Sequence, residues 1–581
     1  MKKSMVAIPK QTDIIEKILY FIYIFLTLMP IAFIGITCND DLQWRMYATE
    51  GFGTLAKAYF EAAKVQGRVL SCTQIISLFI AVFPNTIVHG IVKVMLIFSN
   101  IWLIGKFIKI FFDDKIRKFW MIIMPLLVQV TINHCPPDAF VSFIAFPMSL
   151  FLISLISYNA YLKTRKKILY AISLFLYFWS ICSYEYFIVL SPLYLIVNMK
   201  SNLKESIGYK KMVLRSFKGI CGHIIVGCSY LILYFLQRYI FPSNYMGNQL
   251  VFSNVKQSAN VEWMIIKSGI PGGYYFSPKG LYLNNLGNEL ISTNKNLNTL
   301  SIIRIICVLV LAIWGIFYYN KKENDKNKLI NTKTLLVTTF VCIYLVCVPP
   351  ILNAFSVSWS CVDDFINIQG TTVSYLISYV IVCNVIIFCM WLNEKWKKVC
   401  FVLILIWGIF IQKQNMCYSY LQNMSYSRIL NIEKFLSTVG KESFSNQSII
   451  FTEGINNPYL MQCAPISYWN QWLNYNDIDF CVDNTGEYIA ESPFYMRMYK
   501  DLDIWILANE IEKNNNQFFS KDVYLYTSKP LNNSNVYATL EDGAQVSLDL
   551  VYCGTMEGYY FYHYQMPNKK IIIQTVSLEE Y

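Results

Sequence analysis

Apolar runs of about twenty residues recur along the first 410 positions of this chain, separated by short bursts of Lys and Arg. Such a run crosses ~30 Å of hydrocarbon at ~1.5 Å per helical residue. Hydrocarbon offers backbone amides no partner outside their own segment, so the spans are expected to be helices. The first run, Ile18 to Thr37, follows Lys2, Lys3 and Lys10. It is longer than a signal-peptide core and no A-x-A site follows it, so it reads as a retained first helix with the N-terminus inside. Val69 to Phe83 is short, with Pro84 after it, and reads as re-entrant. Were it to cross, the clusters Lys115-Ile-Arg117-Lys118 and Lys163-Thr-Arg165-Lys166-Lys167 would both fall outside, against the positive-inside rule.

Ten further spans are expected: Ile87 to Ile110, Phe119 to Ile132, Ala139 to Tyr158, Ile168 to Cys182, Tyr186 to Val197, Ile220 to Ile240, Leu300 to Tyr318, Leu335 to Leu352, Thr371 to Trp391 and Val399 to Ile411. Ile168 to Val197 is read as a tight hairpin with Tyr184 and Glu185 in its outer turn, because one kinked helix would throw the next basic cluster outside. The expectation is an α-helical polytopic membrane protein of about eleven transmembrane helices plus a re-entrant segment. Beyond Gln412 the chain becomes rich in Asn, Ser and Tyr. Helices are expected around Ser427 to Ser437 and Ile504 to Lys513, and apolar alternation in Ser448 to Thr452, Asp522 to Thr527 and Tyr559 to Val576 predicts strands. The division expected is 1–413 in the membrane and 414–581 as an extracytoplasmic α+β or mostly β domain.

Composition narrows the class. Of 581 residues 55% are hydrophobic and only 15% charged, and the mean hydropathy of +0.38 excludes a single soluble core. The net charge of +12 resides in bursts between apolar runs, where it signals topology and not nucleic acid. The seventeen cysteines form no zinc spacing; Cys182, Cys228, Cys342 and Cys383 lie in apolar runs as small hydrophobes.

Candidate chemistry gathers at the outward ends of the runs. Asp40-Asp41 follows the first span, where two carboxylates suit a catalytic base, a divalent-cation site, or the ordinary acidic end of a helix. Arg68, closing Gln66-Gly67-Arg68, either pairs bidentately with a lipid-linked phosphate or anchors its segment at the headgroups. Glu185 in a tight turn is a costly carboxylate unless partnered, or else a solvated turn residue. Asp138, Asp363 and Asp364 also fall outside near helix ends, and His134 reads as structural. Trp44, Trp263 and Trp359 fit an interfacial belt or a sugar-stacking platform. Lys93 lies within a span, from which it can snorkel towards a rim.

A first helix ending in Asn39-Asp-Asp41, a loop closing in Gly67-Arg68, Asn133-His-Cys-Pro-Pro-Asp138 opening a helix and Ser183-Tyr-Glu-Tyr186 in the next outer turn together resemble the GT-C class of glycosyltransferases. Within it the chain is most similar to the bacterial family of O-antigen-modifying glucosyltransferases. The resemblance covers about the first two hundred residues, and departs from the family at Tyr184-Glu185, where the family carries Tyr-Gln. It implies transfer of a sugar from a polyprenyl-phosphate donor to an envelope glycan on the outer face of a bacterial inner membrane. It also implies Asp40 or Asp41 as base or as ligand of a divalent cation (Mg or Mn), and Arg68 as the phosphate-binding group, with Arg45 second. Trp44, Asp138, Tyr184 and Glu185 would then bind substrate or support those that do. Two other readings stand beside this one. An envelope polysaccharide polymerase or ligase is favoured by the long segment from Phe241 to Asn298 and disfavoured by the sparse Arg and His in the outer loops. A lipid-linked glycan or solute transporter would place ionisable groups near the midplane.

Overall fold

The computed structural model describes residues 11–442 except 37, 84–85, 131–134, 204–208, 246–248, 251, 253, 274–298, 323–329 and 358–371, and beyond 442 chiefly the elements named below. His134, Trp359, Asp363 and Asp364 lie outside the described residues. In chain order the helices are α1 (Gln11–Ala32), α2 (Asn39–Thr49), α3 (Phe52–Val65), α4 (Ile75–Val82), α5 (Thr86–Phe111), α6 (Asp114–Leu127), α7 (Val141–Thr164), α8 (Lys167–Ser183), α9 (Pro192–Asn202), α10 (Tyr209–Gly219), α11 (Cys221–Ile240), α12 (Val255–Gly269), α13 (Thr299–Lys322), α14 (Thr332–Ala354), α15 (Thr372–Trp391), α16 (Glu394–Glu442) and α17 (Ile466–Tyr475). Two 3₁₀ helices, Val69–Gln74 and Glu185–Leu190, precede α4 and α9.

Among the described residues eight helices are long and apolar enough to cross a membrane: α1, α5, α7, α11, α13, α14, α15 and the first half of α16. The protein is a polytopic α-helical membrane protein. The other apolar runs form shorter pieces, Val69–Val82, α6, α8 and Glu185–Asn202. The stretch read as a loop closing in Gly67-Arg68 is instead mostly α2 and α3. By contacts the chain divides into two units, Met1–Ile36 with Trp44–Asn423, and Thr37–Gln43 with Met424–Tyr581.

In the first unit, Ser154 on α7 donates to the Ser173 carbonyl of α8 at 2.5 Å and bonds the Tyr194 hydroxyl of α9 at 2.6 Å. On one straight helix Ser173 and Tyr194 would stand ~31 Å apart at ~1.5 Å per residue. Both reach one hydroxyl because the chain turns back through Ser183–Ser191, as the hairpin reading requires. A second relation fixes the chain before α5. Gly90, in the second turn of α5, lies against the last carbonyl of α1, where an added Cβ would stand 2.3 Å from the Ala32 oxygen. The stretch between α1 and α5 therefore begins and ends at one level.

Short α6 ends within the helical unit, and other helices complete it. Pro125 contributes no amide, and the Pro125 and Leu126 carbonyls accept from Gln412 Nε2 at 3.4 and 3.2 Å. Asn415 then donates to Val128 O at 2.7 Å and accepts from Val130 N at 2.8 Å. Arg304 on α13 is buried and donates to Leu26 O at 2.6 Å and to the side chain and carbonyl of Gln412, both at 3.2 Å. These polar contacts tie α1, α6, α13 and α16 together.

Helix α16 runs unbroken for 49 residues, past the expected end at Ile411 and past the 413/414 boundary. The fall in hydropathy after Gln412 marks a change of surroundings, not the end of the helix, since no Gly or Pro intervenes between Gly408 and Gly440. The helix expected near Ser427 to Ser437 is part of it.

In the second unit, β1 (Ile449–Thr452), β2 (Val482–Asp483), β3 (Phe494–Tyr499), β4 (Ile504–Asn509), β5 (Glu512–Asn514), β6 (Gln517–Ser520), β7 (Asp522–Thr527), β8 (Ser534–Thr539), β9 (Gln545–Ser547), β10 (Val551–Met556), β11 (Tyr559–Gln565), β12 (Ile571–Ile572) and β13 (Val576–Glu580) form three sheets. The largest has the order β10-β11-β7-β4-β3-β1-β2, with β1 parallel to β2 and β3 and the other pairs antiparallel. The helix expected at Ile504 to Lys513 is corrected to strands β4 and β5. Ile504-Trp-Ile-Leu-Ala-Asn509 pairs on both edges, and a continuous apolar run in a central strand imitates a buried helix turn.

The Gly90 contact generates a prediction. Gly90→Ala is expected to destabilise the protein by about 1–3 kcal/mol through overpacking against α1. Gly53→Ala, where a Cβ meets nothing within 4 Å, is expected to be neutral or stabilising by up to about 1 kcal/mol. Thermal melting of the two variants in one detergent checks the pair.

Candidate functional site: the junction of two 3₁₀ helices

Of the residues singled out from the sequence, Arg68, Tyr184 and Glu185 meet where the two 3₁₀ helices come together. Helix α3 closes with Gly67 in the left-handed region at φ 63°, and Arg68 N donates back to Ala63 O at 2.7 Å. The turn is also tight: a Cβ on Gly67 would stand 3.2 Å from Ser243 Cβ and 3.3 Å from Phe241 O. Arg68 thus sits at the head of Val69–Gln74, where its carbonyl accepts from Ser71 N at 2.8 Å and Ser71 Oγ at 2.7 Å. Across from it α8 ends at Ser183, the backbone of Tyr184 is extended, and Glu185 opens the second 3₁₀ helix.

Broken helices expose backbone groups, and here each side supplies partners for the other. Gln74 Nε2 donates to Ser183 O, Trp179 Nε1 donates to Thr73 O at 3.1 Å, and the Thr73 and Ser183 hydroxyls bond at 3.3 Å. Leu70 N finds Gln237 Oε1 of α11 at 3.0 Å. These bonds hold Arg68 against Glu185, with Nε 3.0 Å from Oε1 and Nη2 donating to Oε2 at 3.4 Å. The two side chains remain 26% and 27% exposed. The carboxylate expected to be costly without a partner has one in the Arg68 guanidinium.

Burial alone pulls the Arg68 guanidinium down. The Glu185 carboxylate opposes it, helped by Tyr184, Tyr245 and Tyr234, and leaves the group above its ordinary value. The guanidinium lies 5.8 Å from the ring centre of Tyr245. Glu185 occupies the Nε/Nη2 edge, and Nη1 has no hydrogen-bond partner among the described residues. Tyr184 bonds Thr372 Oγ1 at 3.1 Å and stands edge-on to Tyr186 at 5.0 Å. Trp44 reaches the same neighbourhood through Tyr59. Its ring lies 5.1 Å from that of Tyr59, whose hydroxyl donates to Ser71 Oγ at 3.2 Å.

The other expected residues are placed by contacts of their own. Asp138 is buried after the cis Pro136–Pro137 bond, and its carbonyl accepts from Lys93 Nζ at 2.8 Å. Lys93 also donates to Gly35 O at 3.2 Å and Ile34 O at 3.5 Å. It therefore does not snorkel: at 3% exposure its ammonium is held by three backbone carbonyls. Arg45 is buried on α2. Asp40 and Asp41 occupy the first turn of α2, where the helix dipole favours negative charge. They belong to the second unit, and next to them the Cys38 thiol is pushed well up by burial and then by the charges of Asp41 and Asp40. Among the described residues no group of three or more His, Cys, Asp or Glu gathers to hold a metal ion.

Sequence reasoning missed Gln74, Gln237, Gln412 and Asn415, which supply backbone partners, and it missed Arg304. Arg304 was visible as an ionisable residue inside an apolar run. The amides carried no such mark, since an Asn or Gln at a helix end is common. No family model matches this chain, and no curated protein matches it.

The ion pair makes a stability prediction. Arg68→Gln and Glu185→Gln are each expected to lower the melting temperature. The double variant is expected to lose less than the sum, with a coupling of about 1 kcal/mol. A double-mutant cycle of thermal melts in detergent checks it, and additive losses would count against the pairing.

Proposed function

We propose that this protein is a membrane glycosyltransferase that moves a sugar from a polyprenyl-phosphate-linked donor to a cell-envelope glycan on the outer face of a bacterial inner membrane. The observation that carries this reading is Arg68: a half-paired, partly exposed guanidinium flanked by Tyr184 and Tyr245, inside a protein otherwise built for hydrocarbon. A lipid-borne phosphate needs such a fork within reach of the bilayer, and a leaving phosphate needs its positive charge. Arg68 would bind the donor phosphate through Nη1, and Glu185 and Tyr184 would hold it in orientation. Trp44 suits a sugar face. Asp40 or Asp41 is the base that the resemblance to the glycosyltransferase family implies. A Mg or Mn ion held by Asp40 and Asp41 would draw its remaining ligands from water and would supply positive charge. Arg45 and Asp138, being buried, would serve as supports.

The topology that fits has eleven crossings: the eight long helices, α6, α8 and the Glu185–Asn202 piece. Val69–Val82 makes no net crossing, in keeping with the packing of Gly90 on the end of α1. The basic clusters then all face the cytoplasm, as does the N-terminus, and the C-terminal domain is extracytoplasmic. The transporter reading draws on Lys93 and Arg304 within spans, but both are engaged by carbonyls or a glutamine as clamps between helices. The polymerase or ligase reading stays second, because it would use the same lipid-borne phosphate chemistry.

Membranes supplied with radiolabelled polyprenyl-phosphate hexose test the proposal. Wild type is expected to transfer the sugar, and an Asp40→Asn, Asp41→Asn double variant at equal expression is expected to lose at least about a hundred-fold of the rate, the scale of general-base catalysis. Full transfer by the double variant would remove the base from these residues. No transfer by wild type from any monophosphate donor would move the reading to polymerase or ligase.

A further inference from the structure

Helix α10 is a short piece that does not span the membrane, placed two residues before span α11. At 3.6 residues per turn its eleven residues divide into three edges. Met212 and Ser216 are buried on one edge. Ser216 Oγ accepts from Asn202 Nδ2 at 2.8 Å, and its carbonyl accepts from Asn198 Nδ2 at 3.1 Å. The helix ends at Gly219, whose carbonyl accepts from Tyr158 OH at 2.9 Å. A Cβ on Gly219 would fall 1.9 Å from Asn198 Nδ2 and would push that amide aside. The helix is therefore bound firmly to α7 and α9.

The remaining circumference is exposed and sorted. Leu214 and Phe217, 60% and 47% exposed, lie together, while Lys211, Arg215 and Lys218 form the adjoining edge and Lys210 lies between Phe217 and Leu214. The Tyr158–Gly219 bond places α10 by the end of α7, where Lys163, Arg165, Lys166 and Lys167 are exposed as well. A helix fixed to the protein on one side, with an apolar edge beside a basic one and next to a span, has the form of an interfacial helix.

We propose that α10 is a docking site for anionic phospholipid: Leu214 and Phe217 enter the acyl boundary of the adjacent leaflet, and Lys210, Lys211 and Lys218, with the cluster at 163–167, bind the headgroup phosphates. Charge complementarity selects anionic headgroups, and the apolar edge selects a bilayer over a soluble polyanion. Each lysine near an anionic surface is worth about five-fold in partition. The site is independent of the sugar-transfer reading, since none of its residues belongs to the 3₁₀ junction.

The test uses the full chain in detergent micelles containing equal phosphatidylcholine and phosphatidylglycerol, with bound lipids identified by native mass spectrometry. Wild type is expected to retain phosphatidylglycerol preferentially, and a Lys210→Gln, Lys211→Gln, Lys218→Gln variant is expected to lose at least about half of that preference. A Lys57→Gln, Lys64→Gln, Lys256→Gln variant, with the same loss of charge elsewhere, is expected to keep it. The proposal is overturned if wild type shows no preference, if the α10 variant keeps it, or if both variants lose it alike. Equal melting temperatures of the three proteins show that folding is not the cause.

Discussion

A backbone amide or carbonyl without a partner in hydrocarbon costs several kcal/mol, and this chain interrupts its helices repeatedly inside a protein built for hydrocarbon. Several of these interruptions are met by a side chain from another segment. Gln412 and Asn415 complete the end of α6 after Pro125, Gln237 supplies an acceptor for Leu70 N, and Gln74 and Trp179 satisfy carbonyls across the joint of the two 3₁₀ helices. These amides do more than cap. Because each reaches from one segment to another distant in sequence, they also determine which segments lie side by side. Arg304 acts similarly, joining α1 and α16 through carbonyl and amide groups.

The candidate site follows from that constraint. Two helix breaks that satisfy each other's backbone groups leave their first residues, Arg68 and Glu185, facing one another. Positioning so dependent on the surrounding bonds gives a guanidinium whose orientation is fixed before any ligand arrives, which is the condition for preorganised electrostatic binding. The Tyr245 ring centre lies 5.8 Å from the guanidinium.

Much of the fold was legible in the sequence because the membrane enforces it. Long apolar runs had to become helices, and the basic bursts required the chain to turn back near Ser183, which the Ser173–Ser154–Tyr194 contacts bear out. The pairing of Arg68 with Glu185 was not legible, although both residues were singled out, because 117 positions separate them and neither residue type specifies its partner. The interior of α16 was misread because hydropathy reports surroundings while helix continuity depends on the absence of Gly and Pro. The β4 strand was misread for a related reason: a continuous apolar run lacks the alternation that distinguishes strand from helix. Lys93 was expected to reach a rim, yet the carbonyls of Ile34, Gly35 and Asp138 offer it a nearer partner.

The central claim is that Arg68 receives a lipid-borne phosphate and that Glu185 orients it. The most direct test is the equilibrium binding of a short-chain polyprenyl phosphate to the purified full-length protein, measured for wild type, Arg68→Gln and Glu185→Gln. The account predicts that Arg68→Gln weakens binding by about ten-fold or more, the loss of a charge-assisted pair, and that Glu185→Gln weakens it by less, because the guanidinium remains but loses the carboxylate that orients it. Equal affinity in wild type and Arg68→Gln, or the same loss in both variants, would contradict it.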